Sequence, residues 1–232
     1  MNNMSYIWQD FNIKTFRAET VVFRDGVFCP EFSTLDGPVI DKNYDLPVHF
    51  IYVGEISGDN NLDIVINENV KNQKIYLSGK IKVVNNARLN ISIKNSGIDS
   101  DLRGFFIVEN HGVFNCNLNA YHLCRKTGIF IKTRVLGYKN SESNLNGTAH
   151  IYKYCENCRS DINFSAMLED NAKITFLPVQ EISAIPDTAS HSASIAQYNA
   201  PQIEYLHQSG LTDIEVRIAL REAFMNDIDI FE

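Results

Sequence analysis

Positive charge is scarce in this chain: 21 Lys and Arg stand against 28 Asp and Glu in 232 residues, for a net charge of -7. That balance repels the phosphate backbone whose attraction nucleic-acid binders rely on, so no nucleic acid and no anionic membrane surface is expected as a partner. No apolar run approaches the roughly 20 residues of a membrane-spanning helix. The start, MNNMSYIWQDFN, also lacks the basic-then-apolar layout of a secretory signal, and a cytoplasmic location is the expectation. Cysteine is sparse and odd in number. Cys29, Cys116, Cys124, Cys155 and Cys158 follow no framework spacing, which argues against a disulfide-stapled secreted fold and for free thiols in a reducing compartment. A Gly-rich phosphate loop, a GxSxG elbow and an HExxH pair are all missing, so nucleotide hydrolysis, esterase and zinc-protease chemistry have no footing.

What is present is a chain that is 44% hydrophobic and long enough to bury a core. From Val21 to Ile185 it is a succession of short β-branched and aromatic runs, such as His49-Phe50-Ile51-Tyr52-Val53, Asp63-Ile64-Val65-Ile66 and Gly128-Ile129-Phe130-Ile131. Turn residues separate them, giving strands of about five residues at roughly ten-residue spacing, which is an all-β pattern. A weak repeat, in which a strand meets an Asn-containing turn and restarts on a small or apolar residue, recurs at Ile66–Val70, Val84–Leu89 and Leu168–Ile174. Asn tolerates the left-handed conformation of a tight solenoid corner, but Asn-rich turns suit a sandwich equally, so the pattern leaves both open.

After Pro186 the texture changes. Ser190 to Gln197 is small and polar, and Pro201 opens a helical stretch with Ile203, Leu206 and His207 at helical spacing, stopped by Gly210. Thr212 and Glu215 form a capping box that starts a second helix. Its expected apolar stripe is Ile214, Ile218, Leu220, Ala223 and Phe224, and Asp227, Asp229 and Glu232 give it an acidic end.

The segment PVQEISAIPDTASHSASIAQYNAPQIEYLHQSGLTDIEVRIALREAF resembles the core signature of the SufB/SufD family, the scaffold subunits of iron–sulfur cluster assembly. Pro178, Glu181, Ile182, Ser190, His191, Ala193, Tyr205, Leu206, Gly210, Leu211, Glu215 and Phe224 occupy the matching places. Upstream, Asn146–Ile151 resembles the family's Phe-Asn-Gly strand, Met167–Ala172 its Leu-Leu-Ser-Asp-x-Ala turn, and Val21–Phe28 the short opening hairpin of the SufD branch. The resemblance implies a right-handed parallel β-helix, a solenoid, with a C-terminal two-helix segment. The expected organisation is a short lead at 1–18, a β-helix core at 19–186, and an interface turn and strand with the helical segment at 187–232. It also implies a short SufD-like form, lacking most of the N-terminal helical region of typical members. Where the family carries Cys-Ser-His-Gly and Ser-Arg-Gly, this chain has Ala189-Ser190-His191-Ser192 and Gln208-Ser209-Gly210.

The implied function is a non-catalytic scaffold that pairs with a SufB-like subunit or as a homodimer and docks a SufC-like ABC ATPase. His191 with Ser190 is the implied interface site, since a neutral imidazole can ligate iron or move protons. No cofactor is expected to be stably bound, with an iron–sulfur cluster held only transiently at the subunit interface. Asn163 stands near the place of a SufB-branch cluster cysteine, and a carboxamide cannot replace a thiolate there. Tyr205, Leu206, Leu211, Ile214, Ile218 and Phe224 are the implied ATPase-docking residues. Cys155-Glu156-Asn157-Cys158 has the spacing of half a zinc knuckle or a redox pair, with Cys116 and Cys124 as further candidate ligands, but one CxxC alone is a weak signal. On a strand its two side chains would point to opposite faces unless a turn intervenes. His111, His122 and His150 read as half-buried polar residues of strands. The alternatives are a degenerate member of the family that keeps the fold as an interaction module, and a carbohydrate-active β-helix enzyme. The latter would need clustered carboxylates.

Overall fold

In the computed structural model, residues 18–196 and 199–226 are described. The opening hairpin pairs β1 (Glu19–Arg24) antiparallel with β2 (Val27–Phe28) across Asp25-Gly26, both at positive φ. That is the turn conformation Asp-Gly favours. Every other strand pairing is parallel. Two long strands, β4 (Val48–Ile66) and β5 (Lys74–Asn95), bend midway and belong to two walls at once. The first wall continues from β5 through β6 (Asp101–Asn110), β8 (Gly128–Gly137), β10 (Arg159–Leu168) and β12 (Thr188–Ala196). The second runs from β3 (Val39–Ile40) through the distal halves of β4 and β5 to β7 (Val113–His122), β9 (Glu142–Ile151) and β11 (Lys173–Ile182). The chain is therefore a parallel β-solenoid of about six turns followed by two helices.

Coil stacks on coil in register. Val48, Ile75, Leu102 and Ile129 stand in line at intervals of 27 residues. Alternate residues of each strand point into the lumen, so each inward place becomes a column shared by all coils. The column Phe50, Leu77, Gly104, Ile131, Ile162 ends on His191, and Tyr52, Gly79, Phe106, Thr133, Phe164 ends on Ala193. Large residues alternate with small ones because neighbouring rings cannot both fit. A Cβ on Gly79 would lie 2.0 Å from the Phe106 ring, and one on Gly147 in the second wall 2.6 Å from the Phe164 ring.

The Asn repeat falls out differently from the sequence reading. Asn171 does occupy a left-handed corner, as do Asn72, Asn140 and Asn157. Asn85 and Asn86 instead lie within the bent strand β5. On the outer face of the second wall, Asn61, Asn90, Asn117 and Asn146 form one ladder, each amide donating to the preceding carboxamide oxygen at 2.9–3.0 Å.

The helices are α1 (Ala200–Gln208) and α2 (Asp213–Asn226). Gly210 breaks between them at φ +92°. The capping box is formed: the Thr212 amide and hydroxyl both donate to Glu215 at 2.8 Å, and the Glu215 amide donates to the Thr212 hydroxyl at 3.4 Å. These bonds draw the Glu215 carboxyl pKa below its usual value. Helix α2 lies against the flank of the first wall, meeting Arg134, Tyr138 and Glu169. The expected apolar stripe is split: Leu220 and Phe224 are half-buried, while Ile214, Ile218 and Ala223 are exposed. Val216, outside that stripe, is its most buried residue. Asp227, Asp229, Glu232 and the lead at 1–17 lie outside the described residues.

Because Gly147 makes room for the Phe164 ring, Gly147→Ala should destabilise the protein by about 1–3 kcal/mol, the usual cost of overpacking a filled core. The urea midpoint at constant m-value is the measurement; an unshifted midpoint would mean that the column relaxes freely.

Candidate functional site

Strand β12 closes the first wall, and among the described residues it pairs with β10 alone. Its residues are small, Ala189, Ser190, Ser192, Ala193 and Ser194, so a second backbone can approach closely. Ala189, His191, Ala193 and Ile195 stand at the lumen-facing places, above Ser160, Ile162, Phe164 and Ala166. In the earlier coils these places are covered by the next coil. Here His191 is exposed. Ser190 and Ser192 face outward, where Ser190 donates to Asp161 at 2.7 Å and Asn163 donates to Ser192. The carboxamide of Asn163 thus touches the edge strand on its outer side. Apolar residues cluster in this last coil: Leu177, Ile182, Ile185 and Ile195 are all exposed, Ile185 at 80%.

Beneath Ala189 lies a corner of thiols. A turn carries the chain from β9 to β10 with Tyr154 and Asn157 at positive φ, so Cys155 and Cys158 do not point apart as strand residues would. Both are buried in one cluster with Ile151. Cys158 donates to the Cys124 carbonyl at 3.2 Å and lies 3.2 Å from the Thr127 hydroxyl, which is 2.8 Å from His122 Nδ1. Burial pushes the Cys155 thiol up, and the neighbouring thiols of Cys158 and Cys124 push it further, against the thiolate that a soft metal needs. Cys116 is away from this corner, in the column between Leu89 and Leu145, with its pKa raised by burial to about 12. Among the described residues no group of three or more His, Cys, Asp or Glu is placed to hold a metal ion. Of the three histidines expected to be half-buried, only His150 is so, and His111 lies in the turn after β6 and not in a strand. His122 is fully buried, His111 is exposed and stacked 3.9 Å from the Tyr138 ring, and His150 sits 4.5 Å from the Tyr121 ring and 2.8 Å from Glu181.

Residues 60–224 match the family described as SUF system FeS cluster assembly, SufBD core domain. The chain belongs to the SufB/SufD family. No curated protein matches it. The match spans the solenoid from its second wall onward, the edge strand with His191 and most of α2. Membership supports a part for the chain in iron–sulfur cluster assembly. SufB/SufD proteins are scaffold-type, non-catalytic assembly components. No described helix is long and apolar enough to cross a membrane.

Of the SufB/SufD helix positions, Tyr205, Ile214 and Ile218 are exposed, Tyr205 at 69% and Ile214 at 71%. Leu206 and Leu211 are half-buried. Phe224 turns to the wall, where the Arg134 guanidinium lies over its ring at 5.3 Å and donates to its carbonyl. Sequence reasoning missed the two arginines that hold α2 and the buried Glu169 that receives one of them, because nothing local marks partners 52 and 90 residues apart. It also missed His49, which is fully buried with Nε2 2.8 Å from the Ser78 hydroxyl.

Burial lowers the pKa of His49 and of His122 from 6.5 to about 4, so both are neutral in the fold. An unfolded chain protonates them near 6.5. The stability they contribute is therefore complete above about pH 6.5 and is lost as pH falls toward 4, at roughly 3 kcal/mol each. Melting temperature should drop through that window, and ring NMR signals of both residues should still report neutral imidazole at pH 5.5. Titration of either ring near 6.5 in the folded protein would contradict the assignment.

Proposed function

We propose that this chain is a SufD-like scaffold subunit, working in the cytoplasm, that pairs through its last coil with a SufB-like subunit or a second copy of itself and docks a SufC-type ABC ATPase on its C-terminal helices. The observation that carries this reading is the uncovered last coil. A solenoid end with an unpaired strand is an edge that water-soluble proteins cover, charge or pair. This one combines an edge of small residues with exposed Leu177, Ile182, Ile185 and Ile195, a composition suited to adding the strand of another chain. His191 stands in the middle of that edge, at the head of a core column. An imidazole there reaches across a joint to iron or to a proton on the facing subunit. The cluster is cargo in this scheme, held transiently between subunits.

The exposed ridge of Ile214 and Ile218, one helical turn apart, with Tyr205 nearby in sequence on α1, supports the ATPase-docking half of the reading. A second reading, a family member kept as an interaction module without cluster assembly, is favoured by Ala189 and Asn163, where thiols are lacking. Complementation separates the two. His191→Ala should leave stability within about 0.5 kcal/mol of wild type, as for other exposed positions, and leave the dimer largely intact. It should also abolish complementation of a strain lacking the cluster-assembly scaffold. Failure of the wild-type chain itself to complement would favour the interaction module, full complementation by the mutant would take His191 out of the assembly step, and a mutant that unfolds would make His191 a structural residue.

The isolated protein should be colourless, because stable clusters use several thiolates and the edge presents none. Anaerobic reconstitution with iron and sulfide should give no robust visible absorption. A band that disappears in Cys155→Ser and Cys158→Ser would overturn this and move the cargo site to the buried corner.

A further inference from the structure

Two arginines fasten helix α2 to the solenoid. Val216 is its one fully buried residue among the described side chains. Arg221 donates through Nε and Nη2 to the Glu169 carboxylate, and its guanidinium lies over the Tyr138 ring at 5.2 Å. His111, Tyr138 and Glu169 follow β6, β8 and β10 directly, so they occupy one corner of three successive coils. Glu169 is only 8% exposed, and its backbone is held by the corner: the amide donates to Gly137 at 2.9 Å and the carbonyl accepts from Ala172 at 2.7 Å. Arg134 makes the second attachment at Phe224. Next to these contacts a cavity of about 360 Å³ stays open between helix and wall, bordered by Ile107, Leu136, Ile218 and Met225 and by the charged Lys80, Glu109 and Glu222.

We propose that the Arg221–Glu169 pair is a clamp that positions α2, and with it the exposed ridge of Ile214 and Ile218, on a solenoid that folds without it. A buried ion pair contributes little net stability over an apolar contact, yet it tolerates only one arrangement, since a carboxylate left without its partner in that site is costly. The planar fork of an arginine, stacked on a ring, fixes orientation in a way that a lysine does not. Apolar burial alone, through Val216 and an open cavity, would let the helix slide or lift. Glu169 and Arg221 are thus positioning residues. The clamp stands on the contacts described above; only its consequence for a partner rests on the ATPase-docking reading.

Hydrogen exchange on the full chain tests it. In Arg221→Met the amides of α2 should exchange at least about tenfold faster than in wild type, while those of β6, β8 and β10 keep their protection. Glu169→Gln should act in the same direction more weakly, and Arg221→Lys should restore only part of the protection. Titration with the SufC-type ATPase subunit should show a loss of affinity of about tenfold in Arg221→Met. Unchanged α2 exchange in Arg221→Met would overturn the proposal, as would an equal loss of protection in β8 and β10, which would make the pair a support of the solenoid itself. If wild type fails to bind the ATPase subunit while α2 exchange responds as expected, the docking reading falls and the clamp remains.

Discussion

In a parallel solenoid each coil supplies half of the core on which its neighbour rests, and the in-register stacking of inward side chains is the constraint from which the other features of this chain follow. It explains why size alternates within a column, with Gly79 beneath Phe106 and Gly147 facing Phe164. The same register aligns four asparagines into a hydrogen-bonded ladder and brings His111, Tyr138 and Glu169 to one corner. It has one unavoidable consequence: the last coil cannot be covered by the rule that builds the others. Ala189, His191, Ala193 and Ile195 there occupy core positions with no core above them among the described residues.

That end is also where the chemistry departs from the interior. Earlier members of the His191 column are Phe50, Leu77, Gly104, Ile131 and Ile162, so a histidine at the head of the column is the sole titratable group in it. A further aliphatic residue would make a simpler hydrophobic end. The outer row changes the other way, with the asparagine ladder giving way to Leu177. At these two places, His191 within and Leu177 without, polarity is the inverse of the preceding coils, as would suit a surface completed by another chain in the proposed pairing.

How much of this the sequence carried depends on whether a feature is local. Strand alternation, the Asp25-Gly26 hairpin and the Thr212–Glu215 capping box are written in neighbouring residues and were legible. The solenoid itself was not, because its repeat of inward places is carried by complementary volumes and not by identities: Leu77, Gly104 and Ile131 share no chemistry that a periodicity count could detect. It was the resemblance of the C-terminal third to the SufB/SufD signature that decided against a sandwich. The CxxC depends on the same kind of context: on a strand its thiols would point apart, but two left-handed residues make the turn that folds both inward. The split stripe of α2 has the same origin: apolar spacing assigns a buried face to Ile214 and Ile218, but contacts to distant coils, Arg134 on Phe224 and the helix's own Arg221 on Glu169, set its rotation.

The place of α2 bears on how a scaffold can serve more than one contact. A terminal helix is an obvious lid for an open solenoid, and had α2 lain over β12 the edge and the helix would have been a single self-contained cap. It rests instead along the corner and flank formed by β6, β8 and β10, fixed there by Arg134 and by Arg221 on Glu169. Helix and edge strand therefore remain separate surfaces on one rigid body, joined through a few coils of stacked core. Two of the contacts that hold the helix, Arg134 on β8 and Glu169 directly after β10, the strand on which β12 and His191 rest, tie it to the coils beneath the edge.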